Sequence, residues 1–291
     1  MISYFAPSIL LYSLPEIKPN DSLPQVVSPP RGGSIEVSYT QIHRSDPCAE
    51  GLWMNVIDYF DRARIINIPS RNDRRMETMQ EFARHGFSID FEKIGFFDAV
   101  TPSEGEGFPS AGARGCFLSH LGILEDAIRS RVNNILILED DIQFSRRIAQ
   151  YGKQAIESLQ GMEWDIVYFG HPFEEEANVP GWQVVDRPIH LSHFYAVNGR
   201  CIERLRDFLF QILQRPPGHP DGGPMHYDAA LNTLIHTNKD LRAFYFTRNL
   251  GYQRPSRTDL HELSFLDRSR LLRPVMNNLR RFKATLLRKT R

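Results

Sequence analysis

Short apolar runs alternate with segments of helical spacing along most of the chain, which predicts an α/β fold. Ile135–Leu138 is a continuous aliphatic run, typical of a strand that is buried on both faces of a parallel sheet. Apolar residues at helical intervals over Cys116–Arg131 precede it. Because strands and helices alternate in this way, we expect one α/β domain with a mostly parallel central sheet. The same reasoning predicts strands over Arg64–Ile68, Phe91–Phe97, Asp165–Phe169, His193–Val197 and Ala243–Phe246, and helices over Arg74–Phe82, Arg200–Leu213 and Asp228–His236.

The two ends of the chain lack this alternation. Residues 1–50 are rich in proline and serine and hold no steady periodicity, which predicts a poorly ordered leader. The apolar patch Ile9–Leu11 has no basic flank and no small-residue cleavage site, so we expect no signal peptide. A short amphipathic helix is predicted around Leu52–Phe60. The folded domain is expected to span residues 51–265, followed by a separate segment over residues 266–291.

Charge is unevenly distributed, although 35 basic and 35 acidic side chains give a formal net charge of zero. Nine basic and no acidic residues lie from Arg268 to Arg291, so the preceding residues carry a net charge of −9. An acidic body argues against a nucleic-acid-binding protein. The basic tail predicts an amphipathic helix that lies on an anionic membrane surface or packs on the folded domain. Three cysteines without a CxxC pair predict reduced thiols rather than a zinc site or a disulfide framework.

Three consecutive carboxylates, Glu139, Asp140 and Asp141, directly follow the strand predicted over Ile135–Leu138. Open α/β sheets bind their ligands at the carboxyl ends of strands. Side chains alternate along a strand, so we expect Glu139 and Asp141 to point the same way, with Asp140 opposed. Neighbouring carboxylates repel each other unless a cation offsets their charge, and Mg²⁺ and Mn²⁺ prefer oxygen ligands. The triplet therefore indicates a divalent-cation site, and an exposed acidic turn is the alternative.

Motifs around the triplet resemble those of glycosyltransferase family 25. The resemblance is carried by Gly115–His120, by Leu136–Asp141 and by stretches on both sides. These stretches are Ile66–Ile68 with the arginines that follow, Phe97–Val100, Trp164–Gly170, Tyr195–Val197 and Gln253–Asp259. The resemblance implies a GT-A-like fold and inverting transfer of a hexose, galactose or glucose, from a UDP-sugar to a glycan or lipopolysaccharide-type acceptor. The chain departs from the family pattern at Ala113 and Arg114, where the family usually has an acidic residue.

The resemblance also implies roles for residues of the triplet and its surroundings. Asp141 is the first candidate and Glu139 the second for ligands of Mn²⁺ or Mg²⁺, and Asp140 is expected to contact the ribose or the sugar of the donor. Further candidates for donor binding are Asn67, Arg71, Arg74, Ala99, Ser119 and His120. Arginines at the start of a helix favour phosphate, and a solvated basic face paired with Glu77 and Glu81 is the alternative. Ser119 and His120 are placed in the first turn of the Cys116–Arg131 helix, where His120 either contacts the donor or braces the neighbouring strand.

An inverting transfer needs a general base that takes the proton of the attacking acceptor hydroxyl. Asp228 is the candidate, because it resembles the acidic residue that opens an acceptor-side helix in many GT-A enzymes, and a simple helix cap is the alternative. Asp259 is a second candidate base, and His261 is a further candidate metal ligand. The expected location is cytoplasmic, with peripheral attachment to the inner membrane face through residues 268–291. Two other functions stay open: a non-catalytic nucleotide- or glycan-binding protein and a metal-dependent phosphoryl-transfer enzyme.

Overall fold

The computed structural model describes residues 56–90, 92–173 and 179–254, which form a seven-stranded sheet, a two-stranded ribbon and five helices. The strands are β1 (Arg62–Asn67), β2 (Ile94–Asp98), β3 (Asn134–Glu139), β4 (Ile142–Phe144), β5 (Ile166–Tyr168), β6 (Trp182–Val184), β7 (Phe194–Asn198), β8 (Ala243–Phe246) and β9 (Gly251–Gln253). The helices are α1 (Asn72–Arg84), α2 (Ala111–Arg129), α3 (Arg147–Gln160), α4 (Gly199–Gln214) and α5 (Tyr227–Thr237).

The sheet has the strand order β2-β1-β3-β7-β5-β8-β6, and β4 pairs with β9 in the ribbon. Strands β1, β2, β3, β5 and β8 run in one direction, whereas β7 and the edge strand β6 run in the other. The prediction of an α/β fold with a mostly parallel sheet is therefore confirmed. The carboxyl ends of β1, β2 and β3 meet at one edge, which is where the carboxylate triplet lies.

Helices cover both faces of the sheet, and this explains why β3 is apolar throughout. Ile135 and Ile137 point into one core cluster, together with apolar residues of α2, α4 and α5. Leu136 and Leu138 point into the cluster on the opposite face, which includes Phe82 of α1 and residues of α3. All four aliphatic side chains are completely buried, so β3 is held rigidly where it delivers Glu139 to the sheet edge.

Several element boundaries differ from the predictions. Helix α2 begins at Ala111, five residues earlier than expected, because the Ser110 side chain caps it by accepting a hydrogen bond from the Ala113 backbone N–H at 3.0 Å. Residues 56–60 form a turn rather than part of a helix, because Val56, Ile57 and Phe60 are buried in the core as the chain enters β1. The pattern also missed α3 and the short strands β4, β6 and β9. These strands have three residues each, too few for a periodicity to show.

The predicted leader over residues 1–50 and the predicted C-terminal segment over residues 266–291 lie outside the described residues. Asp259 and His261 also lie outside them. Within the described part of the chain, no helix combines the length and the apolar character that crossing a bilayer requires.

Candidate active site

A pocket of about 330 Å³ opens at the carboxyl ends of β1 and β3. Its wall is built from the end of β1, from residues 99–102 after β2, from the first turns of α2 and from Gln253 of β9. All three members of the carboxylate triplet line it, together with Arg74, Ala99, Ser119 and His120. The sheet edge expected from the parallel strands is therefore a concave site, as in other open α/β sheets.

The three carboxylates belong to different local structures. Glu139 is the last residue of β3, and its backbone N–H donates to the His193 carbonyl at 3.1 Å. Asp140 and Asp141 form the turn between β3 and β4, where the Asp140 N–H donates to the Ile66 carbonyl at 3.1 Å. The backbone of the turn is thus fixed by hydrogen bonds to the carbonyls of Ile66 and His193.

The Asp140 carboxylate is fully engaged in a buried network. Its Oδ1 accepts a hydrogen bond from Nη1 of Arg74 at 2.8 Å, and its Oδ2 accepts one from Nδ2 of Asn67 at 2.8 Å. Its backbone carbonyl accepts hydrogen bonds from Oγ1 of Thr78 and from Nη2 of Arg254, each at 2.6 Å. Because Asp140 is only 5% exposed, its main role in this geometry is to join the triplet to β1 and α1.

Glu139 and Asp141, which we call the carboxylate pair, accept fewer hydrogen bonds than Asp140 does. Glu139 accepts hydrogen bonds from Ser192 Oγ at 2.9 Å and from Gln253 Nε2 at 3.3 Å. Oδ1 of Asp141 is buried and has no hydrogen-bond partner among the described residues. Burial raises the pKa of both carboxyl groups, and the pKa of Glu139 is raised further by the charge of Asp141. Arg74 and Arg254 offset part of this effect at Asp141, but the net pKa shift is upward at both groups, so the pair carries its full negative charge only at a cost.

The donor set of the carboxylate pair fits a hard divalent cation. The pair offers carboxylate oxygens, which such cations prefer as ligands. One of these oxygens, Oδ1 of Asp141, is buried and has no hydrogen-bond partner among the described residues. Burial also disfavours the ionised form of both carboxyl groups, which a bound cation would offset. A second grouping lies beside it: a ring nitrogen of His120, Sγ of Cys116 and a carboxylate oxygen of Glu139 are all within 4.8 Å of one another. Burial raises the pKa of the Cys116 thiol, so this sulfur is neutral at physiological pH.

Ser119 and His120 lie in the middle of α2 rather than in its first turn, because α2 begins at Ala111. Oγ of Ser119 donates to the Gly115 carbonyl at 2.6 Å and accepts from the Val100 backbone N–H at 2.9 Å, which ties α2 to the loop after β2. His120 is completely buried, and burial lowers its pKa to about 3, so its imidazole ring is neutral.

Of the candidate residues at the start of α1, Arg74 alone lines the pocket. Arg71 pairs with Asp73 through two hydrogen bonds of 2.9 Å, and Arg75 contacts Asp98 at 3.1 Å. Asn67 donates to Asp140 and also accepts from Nε of Arg75 at 3.2 Å, so it supports the triplet from behind. Glu77 contacts Arg254, and Glu81 is buried against the Arg84 guanidinium and the Phe144 N–H.

Asp228 is half-buried in the first turn of α5 and does not line the pocket. Its Oδ1 accepts a hydrogen bond from the Ala229 N–H at 2.8 Å, but the N-cap residue of α5 is His226, so the alternative that Asp228 is a simple helix cap is wrong. Its charge also contributes to the raised pKa of Cys116 and of Glu139, so Asp228 is electrostatically coupled to the pocket.

Four residues of the site were not identified from the sequence. Gln253 lies in the pocket and contacts Glu139, and Ser192 holds the other oxygen of Glu139. Tyr195 and Tyr227 form a hydrogen-bonded chain behind His120. These residues come from β9, from the segment before β7, from β7 and from α5, and no local motif marks them. The stretches Tyr195–Val197 and Gln253–Asp259 contain two of them but gave no reason to single out a side chain.

Comparison with known proteins locates the similarity in the part of the chain that builds the pocket. Residues 60–179 match the sequence model of "Glycosyltransferase family 25 (LPS biosynthesis protein)". A glycosyltransferase 25 family member of Drosophila melanogaster is 26% identical over 159 residues, covering 49% of this chain and 26% of that protein. Procollagen galactosyltransferase 1 of Danio rerio is 28% identical over 130 residues, covering 38% of this chain and 21% of that protein.

The relatives also include proteins named as inactive. One is the probable inactive glycosyltransferase 25 family member 3 of Bos taurus, 33% identical over 75 residues, covering 24% of this chain and 13% of that protein. The alignments thus span about a quarter or less of the length of these relatives. Among solved structures, a glycosyltransferase involved in the glycosylation of the major capsid of PBCV-1 aligns with a TM-score of 0.40 and 12% identity, over 68% of this chain and 94% of that one.

Proposed function

We propose that this chain, which belongs to glycosyltransferase family 25 through residues 60–179, transfers a hexose from a UDP-sugar to a hydroxyl group of a glycan acceptor. The observation that carries the proposal is the carboxylate pair, with Glu139 half-buried and Asp141 buried, in a pocket of about 330 Å³ within the matching segment. Galactose is the first candidate sugar, because one relative is named a galactosyltransferase, and glucose is the second. A lipopolysaccharide-type acceptor is proposed from the description of the family.

Asp141 and Glu139 would hold Mn²⁺ or Mg²⁺ in this proposal. When bound, such an ion stabilises the negative charge that develops on the diphosphate leaving group. Arg74 lines the same pocket and adds a positive charge on the side of α1, where it is oriented by Asp140. Ala99 and Ser119 bound the opposite wall, so the nucleotide-sugar is expected to lie between α2 and the β3–β4 turn.

Asp228 is proposed as the general base that accepts the proton of the acceptor hydroxyl as this oxygen attacks the anomeric carbon. It is half-buried at the amino-terminal end of α5, and its charge contributes to the raised pKa of Cys116 and of Glu139, which both line the pocket. Asp228→Asn keeps the shape and removes the basic oxygen, so turnover should fall by roughly 10²–10⁴-fold with little change in donor affinity. Near-wild-type turnover of this variant at saturating donor and acceptor would exclude the role.

The test of the function is a panel of nucleotide-sugars assayed for release of UDP with Mn²⁺, with Mg²⁺ and with a chelator. We expect release from one UDP-hexose that requires the cation, and a loss of at least ~100-fold in Asp141→Asn. Asp207→Asn is the matched control, because Asp207 is an exposed carboxylate of α4 outside the pocket. Cation-independent release, or full activity of Asp141→Asn, would contradict the proposed role of the pair.

A non-catalytic nucleotide- or glycan-binding protein is the second candidate, because relatives of this segment include proteins named as inactive. Such a protein would bind a UDP-sugar without releasing UDP. Release of inorganic phosphate instead of UDP would indicate a phosphoryl-transfer enzyme.

Attachment to a membrane is a proposal that rests on the basic sequence from Arg268 to Arg291. Co-sedimentation with anionic liposomes should be lost when these residues are removed. Equal binding with and without them would exclude it.

A further inference from the structure

A chain of hydrogen-bonded rings lies directly behind the pocket. The hydroxyl groups of Tyr227 and Tyr195 are 2.7 Å apart, and the Tyr195 hydroxyl lies 2.9 Å from Nδ1 of His120. The His120 ring also stacks on the Tyr227 ring, with centroids 3.8 Å apart and an interplanar angle of 2°. All three side chains are almost completely buried, so water does not compete for these hydrogen bonds.

The direction of the hydrogen bonds in this chain decides which nitrogen of His120 carries its proton. If Tyr227 donates to Tyr195 and Tyr195 donates to Nδ1, both hydroxyl protons are used and the imidazole proton is on Nε2. In the opposite direction, Nδ1–H donates to Tyr195 and Tyr195 donates to Tyr227. The Tyr227 O–H then has no acceptor within the described residues, and a buried unpaired donor is costly. The first direction leaves one buried polar group unpaired, the Nε2–H of His120, whereas the second leaves two, the Tyr227 O–H and the Nε2 lone pair, so the first direction is favoured.

With its proton on Nε2, His120 presents a neutral hydrogen-bond donor to the pocket. Nε2 is buried and has no hydrogen-bond partner in the described part of the chain, whereas Nδ1 is occupied by Tyr195. A ring nitrogen of His120 and a carboxylate oxygen of Glu139 lie within 4.8 Å of each other, and both residues line the pocket. Each Glu139 oxygen accepts one hydrogen bond, from Ser192 or from Gln253, and has a lone pair left.

We propose that His120 Nε2–H and the Glu139 carboxylate together bind one hydroxyl group of the transferred sugar. This inference rests on the proposed function. A hydroxyl oxygen at about 2.8 Å from each group bridges a separation of this size at an ordinary hydrogen-bond angle. The hydroxyl accepts from Nε2–H and donates to Glu139, so both groups are satisfied. A C–H group at this position would leave both groups unpaired. The pair is therefore a specificity determinant, with Tyr195 and Tyr227 as positioning residues.

The first test determines which ring nitrogen of His120 carries the proton. The ¹⁵N chemical shifts of His120 in the full-length protein should be of the unprotonated type at Nδ1 and of the protonated type at Nε2. Tyr195→Phe should remove this preference of the proton for Nε2, and the ring at position 195 should still pack as in the wild type. Tyr168→Phe is the matched control, because the Tyr168 hydroxyl is buried near Tyr195 and has no hydrogen-bond partner among the described residues. A proton on Nδ1 in the wild-type protein would overturn the inference.

The second test measures binding of the preferred UDP-hexose and each of its mono-deoxy analogues by calorimetry in the presence of Mn²⁺. One analogue should bind at least ~100-fold more weakly than the parent sugar. It lacks the bridging hydroxyl group, so His120 Nε2–H and the Glu139 carboxylate are left unpaired. His120→Leu should weaken the parent sugar and abolish the discrimination. His120→Gln, which offers an acceptor and a donor as the proposed tautomer does, should restore part of it.

The outcomes separate the two proposals. If the protein binds a UDP-hexose but no single deoxy analogue loses affinity, or if His120→Leu discriminates as the wild type does, this inference fails and the proposed function stands. If no UDP-sugar binds, both are overturned.

Discussion

Replacing Asp140 and Asp141 separately by asparagine should have opposite effects on stability, although the two residues are neighbours in an acidic triplet. Asp140 forms a buried ion pair with Arg74, whose side chains are 7% and 11% exposed, and also accepts from Asn67. Asparagine at position 140 removes the carboxylate that forms the buried ion pair with Arg74. Breaking a buried pair in this way costs about 3–5 kcal/mol. For a domain of this size that corresponds to a fall of roughly 10 °C in Tm.

Asp141→Asn should behave differently in the absence of a cation. Burial raises the pKa of Asp141, so the folded protein disfavours its ionised form, and Oδ1 has no hydrogen-bond partner among the described residues. Removing this charge at pH 8 in chelator should leave the free energy of unfolding unchanged or increase it. The same substitution should abolish the stabilisation that added Mn²⁺ gives to the wild-type protein, because a bound ion stabilises the folded state by mass action.

The measurement is urea unfolding followed by circular dichroism, at pH 8, with chelator and with Mn²⁺. Asp207→Asn is again the control, and it should match the wild type under both conditions. The reasoning would be refuted if Asp141→Asn in chelator lost as much stability as Asp140→Asn. It would also be refuted if Mn²⁺ stabilised Asp141→Asn as strongly as the wild type.

Three further predictions concern pH and packing. In chelator, Glu139 should lower the stability of the wild type as the pH rises from about 4.5 to about 8, because in this range the folded state still holds a proton that the unfolded state has lost. Asp141 should act in the same way from about pH 3.8 to about 6, and Glu139→Gln should reduce the loss above pH 6 in pH-dependent urea unfolding. Below about pH 6.5 stability should fall by about 1.4 kcal/mol per pH unit for each buried histidine that is protonated only on unfolding, as judged by the same titration. These histidines, whose pKa values burial lowers to about 3 or 4, are His120, His171 and His193. Gly115→Ala should lower Tm and weaken UDP binding, both measured by calorimetry, because its Cβ would lie 2.5 Å from the Val100 carbonyl oxygen. Gly181→Ala is the control and should change neither quantity, because no atom lies within 4 Å of a Cβ at that position. A Gly115→Ala protein that binds UDP with wild-type affinity would contradict the tight packing of α2 on the pocket loop.

Much of the fold follows from local pattern. The aliphatic run of β3 identified a strand with both faces buried, and the helical spacing around Leu121 and Leu124 identified α2. The start of α2 was misplaced, because the glycine- and proline-rich sequence before Cys116 resembles a loop. The last part of that sequence, from Ala111 to Gly115, is nevertheless helical, because Ser110 caps the helix and the Val100 N–H donates to Ser119. Strands β4 and β9 depend on each other across a long stretch of chain, and no local pattern reveals such a pair.

The sequence by itself determined that carboxylates follow a buried strand, and therefore that acidic chemistry lies at one edge of an α/β sheet. It did not distinguish the three carboxylates from one another. The tertiary structure decided this, because Asn67 of β1 and Arg74 of α1 bind the Asp140 carboxylate, whereas Oδ1 of Asp141 has no hydrogen-bond partner among the described residues. The proton position on His120 is decided in the same way by Tyr195 and Tyr227, which lie far from it in the chain. The physical reason is common to both: the charge and hydrogen bonding of a buried group depend on neighbours that only folding brings into contact.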